Sequence, residues 1–512
     1  MGNSRVDNVI KNISTGVAGK ISTTLMAFIS RSVFIYTLGL EYLGISGLFT
    51  NVLRMLALAE LGFHAAIIYS MYKPIADNDT RKLCALNNFF QTLFRIIALI
   101  VVALGLGLIP FLPSIVRVEG DIPHITRYYV LTLLDAVVSY LFVHKASITI
   151  AHQREYEFSL YNILMPVVKC VAQVVILLVF RDYTLYLVVQ ILCTILSNVL
   201  RARKSEKLFP YIREKEKLPK KDRKELFGHA KSMFLVNLSG VMLTQTDNLL
   251  ISTMLSTALV GFYSNYTLIL QNLNQVTNIL STALTASVGN LSVSESTQKK
   301  HATFETLDFA LWWFHAFCTV TFWILAPDFF GMWGSMVLQN LRLSNVTVLV
   351  IVLNFYLQGI QVPLTIFHNT TGLFHQTRFM YLATALLNIA LSVVLGTIWG
   401  ITGILLATIL ANVLTVTWYV PKVLYRLQFK ISSRSYWNRH FSYFLLVILC
   451  GGNLQLLLAP VQLGYALNLL VRGIACIVVP NGLFYLLFRN TDEYRHLAGI
   501  IREKLQKKLK KS

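Results

Sequence analysis

Charge is scarce in this 512-residue chain. Only 13% of its residues are charged, where a soluble domain carries roughly a quarter. Acidic residues are scarcer still, 24 against 45 Lys and Arg. Catalytic signatures are missing too. There is no GxSxG, no HExxH and no Walker A run, so no direct use of ATP is expected. The six cysteines, Cys84, Cys170, Cys193, Cys318, Cys450 and Cys476, form no CxxC pair and read as small apolar packing residues. His368 and His375 lie seven apart with no acidic third ligand close by, so neither a metal nor any other cofactor is expected. Met1–Lys20 has no compact apolar stretch with a small-residue cleavage site, which argues against a secretory signal. Val6 stands where a myristoylation pattern needs Ser or Thr.

What is abundant is apolar surface. Hydrophobic residues make up 55% of the chain, and the mean hydropathy is +0.60. Fourteen apolar runs lie near the ~20 residues that cross a bilayer. They fall at 15–38, 44–72, 86–112, 126–148, 158–180, 184–201, 232–257, 260–290, 306–333, 345–367, 379–400, 402–424, 441–460 and 466–488. This predicts an all-α polytopic membrane protein of about 14 transmembrane helices. It excludes a soluble enzyme, a disordered scaffold and a single-span receptor.

The basic residues set the orientation. The two tails and the even-numbered connections hold 36 of the 45 Lys and Arg, and 12 of these sit between Arg201 and Lys231. The odd-numbered connections hold only Arg117, Arg127, Arg181 and Arg342. The positive-inside rule then places both termini in the cytoplasm. A basic rim against anionic lipid accounts for the net charge of +21 without any nucleic acid. The C-terminal tail, with Leu497, Ile500, Ile501, Leu505 and Leu509 between its charges, predicts a short helix on the membrane surface.

The long basic connection divides the chain. We expect an N-terminal six-helix bundle at 1–200, a basic cytoplasmic loop at 201–231 and a second six-helix bundle at 232–426. Two further spans at 427–488 and a basic tail at 489–512 follow. Two units of even span number repeat in parallel orientation. A shift of 217 residues carries Ser22, Leu38, Gly44, Thr50 and Leu53 onto Ser239, Leu255, Gly261, Thr267 and Leu270.

Ionisable residues inside spans cost several kcal/mol unless they face a cavity or a partner. The basic ones are Arg31, Arg54, Arg95, Lys169 and Arg472, and the acidic ones Glu60, Asp135 and Asp247. Gln271, Gln275, Asn278 and Thr282 recur at helical spacing and form one polar stripe, which should face water or a neighbouring helix. The 217 shift puts Arg54 on Gln271, and Ser30-Arg31 on Asp247-Asn248. Arg31 and Arg54 are therefore expected to face a central lumen. Local explanations compete elsewhere. Arg95 can snorkel to the cytoplasmic face. Arg472 can anchor at the outer interface, Glu60 can pair with His64, and Asp135 can bond Ser139 within its own helix.

Several stretches look familiar. Ile29-Ser-Arg-Ser-Val-Phe34, Leu38-Gly-Leu-Glu-Tyr-Leu-Gly-Ile45 and Ala59-Glu-Leu-Gly-Phe63 resemble the start of bacterial polysaccharide flippases of the O-antigen and capsule type. Thr246-Asp-Asn-Leu-Leu-Ile-Ser252 and Val260-Gly-Phe-Tyr-Ser-Asn-Tyr266 resemble their seventh and eighth spans. These proteins belong to the multidrug/oligosaccharidyl-lipid/polysaccharide exporter superfamily. The resemblance implies outward movement of an undecaprenyl-pyrophosphate-linked oligosaccharide across the cytoplasmic membrane. It implies a pyrophosphate-binding arginine at Arg31, and loosely an acidic residue at Glu41. The eighth-span arginine of related lipid II flippases is replaced here by Gln271 and Gln275.

Together these readings give an expectation. Arg31, Arg54, Arg95 and Lys169 would hold the pyrophosphate, and Gln271, Gln275 and Asn278 the sugars, since amides both donate and accept. Access would alternate by rocking of the two bundles. Asp247, Asp135 and Glu60 are candidates for coupling to a proton or Na+. The membrane potential is the alternative drive, worth about 2.3 kcal/mol per charge at 100 mV. Candidate partners are the lipid-linked oligosaccharide, a polysaccharide polymerase and glycosyltransferases. The rivals are a cation-coupled multidrug exporter of the same superfamily, and a membrane polymerase or ligase acting on lipid-linked sugars. The excess positive charge of the first half disfavours the former. The lack of a long external loop disfavours the latter.

Overall fold

The structure is a computed structural model that describes residues 2–56, 63–117, 122–224, 226–227, 238, 245–294, 296–371 and 373–509. Among these residues every regular element is helical. In chain order the helices are α1 (Gly2–Leu56), α2 (Phe63–Ala76), α3 (Thr80–Gly107), α4 (Leu112–Ile115), α5 (Ile125–Leu141), α6 (Val143–Ala151), α7 (Ser159–Val179) and α8 (Tyr183–Leu208). Then follow α9 (245–255), α10 (Thr257–Ser294), α11 (Thr297–Met336), α12 (Asn345–Thr371), α13 (Phe374–Leu414), α14 (Val416–Leu424), α15 (Arg434–Leu458), α16 (Tyr465–Phe488) and α17 (Asp492–Leu509). The protein is thus an all-α polytopic membrane protein.

Eight helical stretches among the described residues are long and apolar enough to cross a membrane, or nine if the bent pair α5 and α6 makes one span. The sequence count of 14 is higher, partly because the runs 379–400 and 402–424 fall in one of these stretches, Gln376–Phe429, although the helix breaks at Gly400. Gly39 has φ +86° and ψ −179°, and Gly400 has φ +59° and ψ −139°. These are backbone regions that essentially only glycine occupies. They lie where the sequence runs 15–38 and 379–400 end. At Gly400 the chain folds back, since a Cβ on Gly403 would lie 1.9 Å from the Leu395 carbonyl oxygen.

Local chemistry sets several helix starts. Asp79 caps α3 by accepting from the Lys82 amide at 2.9 Å, and Asp182 caps α8 by accepting from the Leu185 amide at 3.1 Å. The helices carry apolar side chains on their outer faces. Leu99 of α3, Val179 of α7 and Leu470 of α16 are exposed, as lipid-facing residues should be.

The chain forms two compact units, Met1–Gly261 and Phe262–Ser512. The first includes the basic connection, because that connection packs back on α3. The Asn88 amide donates to the Glu214 carbonyl at 2.9 Å, and Lys82 pairs with Asp222 at 3.3 Å. The same unit contains a close crossing of α1 with the start of α10. A Cβ on Gly44 would meet the Thr257 carbonyl oxygen at 1.9 Å, and one on Gly261 would lie 3.1 Å from the Gly44 amide nitrogen. The two glycines equated by the 217 shift therefore touch each other.

In the second unit α11 is the central helix, packed by α12, α15, α16 and α17. Trp312 of α11 stacks on Tyr443 of α15 at 4.0 Å between ring centres. The Trp313 indole donates to the Asn481 side chain of α16 at 2.8 Å. The two additional C-terminal spans are thus bound into this unit by rings and polar contacts along α11. The tail does form a helix, α17, and its first turns dock on protein. His496 shares a hydrogen bond with Thr306 at 2.9 Å, and Glu493 lies 3.4 Å from Arg439.

Candidate functional site

Polar residues of the first unit line up along α7 and α8. On α7 the series is Asn162, Lys169 and Gln173, and on α8 it is Tyr183, Tyr186, Gln190 and Arg201. Both series follow helical spacing, so each forms a stripe on one face. Near one end, Tyr42, Tyr128, Tyr183, Tyr186 and Phe34 form a ring cluster, with Tyr128 and Tyr183 at 4.8 Å. Next comes Ser30 of α1, whose hydroxyl donates to the Gln173 side chain at 3.4 Å. Arg31 follows, half-buried and within electrostatic reach of the Tyr186 hydroxyl.

About 6 Å further along α7, at 1.5 Å per residue, lies a second group. Lys169 and Asp135 attract each other, and the Gln190 amide donates to Asp135 at 2.8 Å. Further along, Arg201 donates to the Asn162 side chain at 2.6 Å. The series ends in ion pairs: Lys204–Glu157 at 3.0 Å, Lys145–Glu206, and Arg213–Glu206 at 3.3 Å. The arrangement is a column of alternating donors and acceptors inside an apolar unit. Such a column offers donors and acceptors to an anion or to water.

Two local explanations from the sequence change. Asp135 is held by Gln190 of another helix, whereas Ser139 donates to the Ala136 carbonyl at 2.6 Å. Arg472 is half-buried and pairs with Asp328 at 2.8 Å, so its charge has a protein partner.

Arg54 is exposed at the end of α1. Arg95 is exposed on α3, in the field of the buried His144. Gln271, Gln275 and Asn278 are all exposed on α10, whereas Tyr266, Leu270 and Thr277 of the same helix are buried. Three of the four residues of the predicted polar stripe are therefore exposed, and the side chain of Thr282 lies outside the described ones. Glu41 is half-buried just past the Gly39 turn, and Asp247 of α9 is buried. Glu60 lies outside the described residues. His368 hydrogen-bonds Thr377, and no group of three metal-ligating side chains occurs among the described residues.

Residues 9–285 match the model of the polysaccharide biosynthesis protein family. The chain belongs to that family. Solved transporters share its fold. A lipid II flippase MurJ in an inward closed conformation aligns over 92% of this chain and 99% of its own, with TM-score 0.61 and 15% identity. An inward-facing multidrug resistance MATE transporter of the MOP superfamily aligns over 76% of this chain and 91% of its own, with TM-score 0.59 and 14% identity. A point mutant of the Vibrio cholerae MATE transporter VcmN aligns over 82% of this chain and 96% of its own, with TM-score 0.56 and 13% identity. No curated protein sequence matches the chain significantly. The resemblance drawn from residues 29–63 and 246–266 is borne out at the level of family and fold.

Proposed function

We propose that this member of the polysaccharide biosynthesis family is a flippase. Its substrate would be an undecaprenyl-pyrophosphate-linked oligosaccharide, moved from the inner to the outer leaflet of the bacterial cytoplasmic membrane. Both termini would lie in the cytoplasm, and access would alternate between the two faces. The observation that carries the reading is Arg31. It sits on α1 beside Ser30 and Tyr186, inside a polar column of an otherwise apolar unit.

A guanidinium offers two parallel N–H donors that match phosphate oxygens. The neighbouring hydroxyl and amide groups keep that charge tolerable within the membrane layer. Lys169 is a second pyrophosphate candidate, with Asp135 meeting part of its charge. Arg54 and Arg95 are exposed and would act on the approaching head group. The uncovered amides Gln271, Gln275 and Asn278 supply donors and acceptors for sugar hydroxyls. Asp247, Asp135 and Glu60 are the candidates for coupling to a proton or Na+. A polymerase and glycosyltransferases would act on the two ends of the transport step.

A multidrug exporter of cationic compounds is the weaker reading. It needs a carboxylate open to the cation, and Asp135 already accepts a hydrogen bond from Gln190.

The test is leaflet-to-leaflet movement of a fluorescent undecaprenyl-pyrophosphate oligosaccharide in proteoliposomes, with an imposed potential. Losing charge-assisted hydrogen bonds worth about 1.5–3 kcal/mol predicts a ~10- to 150-fold slower initial rate for Arg31→Ala. Wild-type rate in Arg31→Ala removes the arginine from the mechanism. Efflux of cationic dyes without lipid movement by wild type overturns the flippase reading.

A further inference from the structure

Arg342 is one of only four basic residues in the odd-numbered connections. In the second unit it lines a cavity of about 560 Å³ where α11 turns into α12 and meets the start of α16. Charge asymmetry assigns this side to the exterior. The cavity wall includes Phe330, Gly331, Ser335, Gln339, Asn340 and Tyr465.

The guanidinium is held at two points. Its Nε donates to the Pro327 carbonyl at 3.1 Å, and its carbon lies 5.1 Å over the Tyr465 ring. No carboxylate lies within ion-pair distance of it among the described residues. The nearby Asp328 is engaged by Arg472 at 2.8 Å. Arg342 is thus an exposed guanidinium at this cavity, with Nη2 against Gly331 and no carboxylate partner among the described residues. Gly331 makes the seat possible, because a Cβ there would lie 2.6 Å from the Tyr465 ring and 2.7 Å from Arg342 Nη2. Gln339 and Asn340 line the same cavity, the Asn340 Oδ1 accepting from the Arg342 backbone amide at 3.0 Å, and Phe330 supplies an apolar wall.

We propose that this cavity binds an acidic sugar, with the carboxylate of a hexuronate on Arg342 and the ring hydroxyls on the neighbouring amides. A fork of two parallel N–H groups fits a carboxylate edge-on. Mixed amide and apolar walls fit a ring that is polar at its rim and apolar on its faces. The sugar half of this assignment rests on the flippase reading above, and the anion half rests on the cavity alone. On that reading the site receives an acidic residue of the oligosaccharide as it emerges.

The test is ligand-observed NMR on the full chain in nanodiscs, with glucuronate, glucose and inorganic phosphate as separate probes. It needs no transport, so it stands or falls apart from the flippase assay. Glucuronate should bind at least about tenfold more tightly than glucose, the size of one charge-assisted hydrogen-bond pair. Arg342→Gln should erase that preference. Gly331→Ala, which displaces only side-chain ends and no backbone, should reduce it while leaving the melting temperature near wild type. Equal binding of glucose and glucuronate overturns the proposal. So does a preference that survives in Arg342→Gln, and phosphate binding as tight as glucuronate overturns the sugar assignment.

Discussion

Replacing Arg472 by Ala should unfold the second unit at a markedly lower temperature. Arg472 Nη1 lies 2.8 Å from Asp328 Oδ2, with the two side chains 13% and 7% exposed. That contact is close but not aligned as a hydrogen bond, so charge attraction carries it. Two further bonds from Arg472 reach the Leu458 and Val461 carbonyls at 3.2 and 3.0 Å. After truncation, Asp328 keeps only Asn468, which donates to its Oδ1 at 3.3 Å. A buried charge stripped of its partner costs about 3–5 kcal/mol. A unit of this size loses about 2–4 °C per kcal/mol, which gives a drop of about 6–20 °C. The assay is intrinsic-fluorescence melting in detergent at one heating rate, because membrane proteins often unfold irreversibly. The double variant Asp328→Asn/Arg472→Gln removes both charges and should recover most of the loss. The reasoning fails if Arg472→Ala melts like wild type. It fails equally if the double variant melts as low as Arg472→Ala, since the single cost would then be lost packing.

The α1–α10 crossing predicts opposite fates for two neighbouring glycines. Gly44→Ala drives a Cβ into the Thr257 carbonyl and should cost at least about 1–3 kcal/mol, whereas Gly47→Ala meets only Val260 at 3.7 Å and should melt like wild type. Equal melting of the two variants would refute the crossing. His152 stacks on Phe209 at 4.3 Å and hydrogen-bonds Tyr211 at 3.0 Å. Burial, and then the charge of Arg154, lower its pKa. The folded form therefore binds the proton less well than the unfolded chain, so stability present above about pH 6.5 is lost as pH falls through the lowered value. His152→Gln should flatten the fall in melting temperature between about pH 6.5 and the lowered value, and an unchanged pH profile would show that His152 does not carry it.

Periodicity and backbone demands were legible in the sequence, and partner identity was not. The span ends at residue 38 and residue 400 sit beside Gly39 and Gly400, whose backbone angles explain the breaks. The 217 shift paired Gly44 with Gly261, and the two are in contact. The α10 stripe followed from spacing alone, and Gln271, Gln275 and Asn278 of it are exposed. The same spacing occurs at Asn162, Lys169 and Gln173 and at Tyr183, Tyr186 and Gln190, so the column on α7 and α8 had a readable signal. What spacing could not supply was the partner across helices. Asp135 takes Gln190, 55 residues away, and Arg472 takes Asp328, 144 residues away. Within-helix neighbours such as Ser139 are the natural guess from sequence, but tertiary packing offers better-aimed donors.

That distinction decides how the intramembrane charges divide. Counted along the chain, the first half holds four basic residues in its spans, Arg31, Arg54, Arg95 and Lys169, against Glu60 and Asp135. In space they separate into kinds. Asp135 partly offsets the Lys169 charge and accepts a hydrogen bond from Gln190, so this group adds little net charge to the column. Arg54 and Arg95 are exposed and reach whatever approaches from outside the unit. Arg31 lies in the column beside hydroxyl and amide groups, where a guanidinium is partly desolvated and its attraction for an anion is strengthened. A cationic cargo would meet repulsion at that point, and a pyrophosphate would meet a matched fork. The same logic ranks the variants: Arg31→Ala should slow transport more than Lys169→Met, because the latter also frees Asp135 to stay protonated or to bind a cation. Equal losses in the two would mean that the column works as a single charged unit.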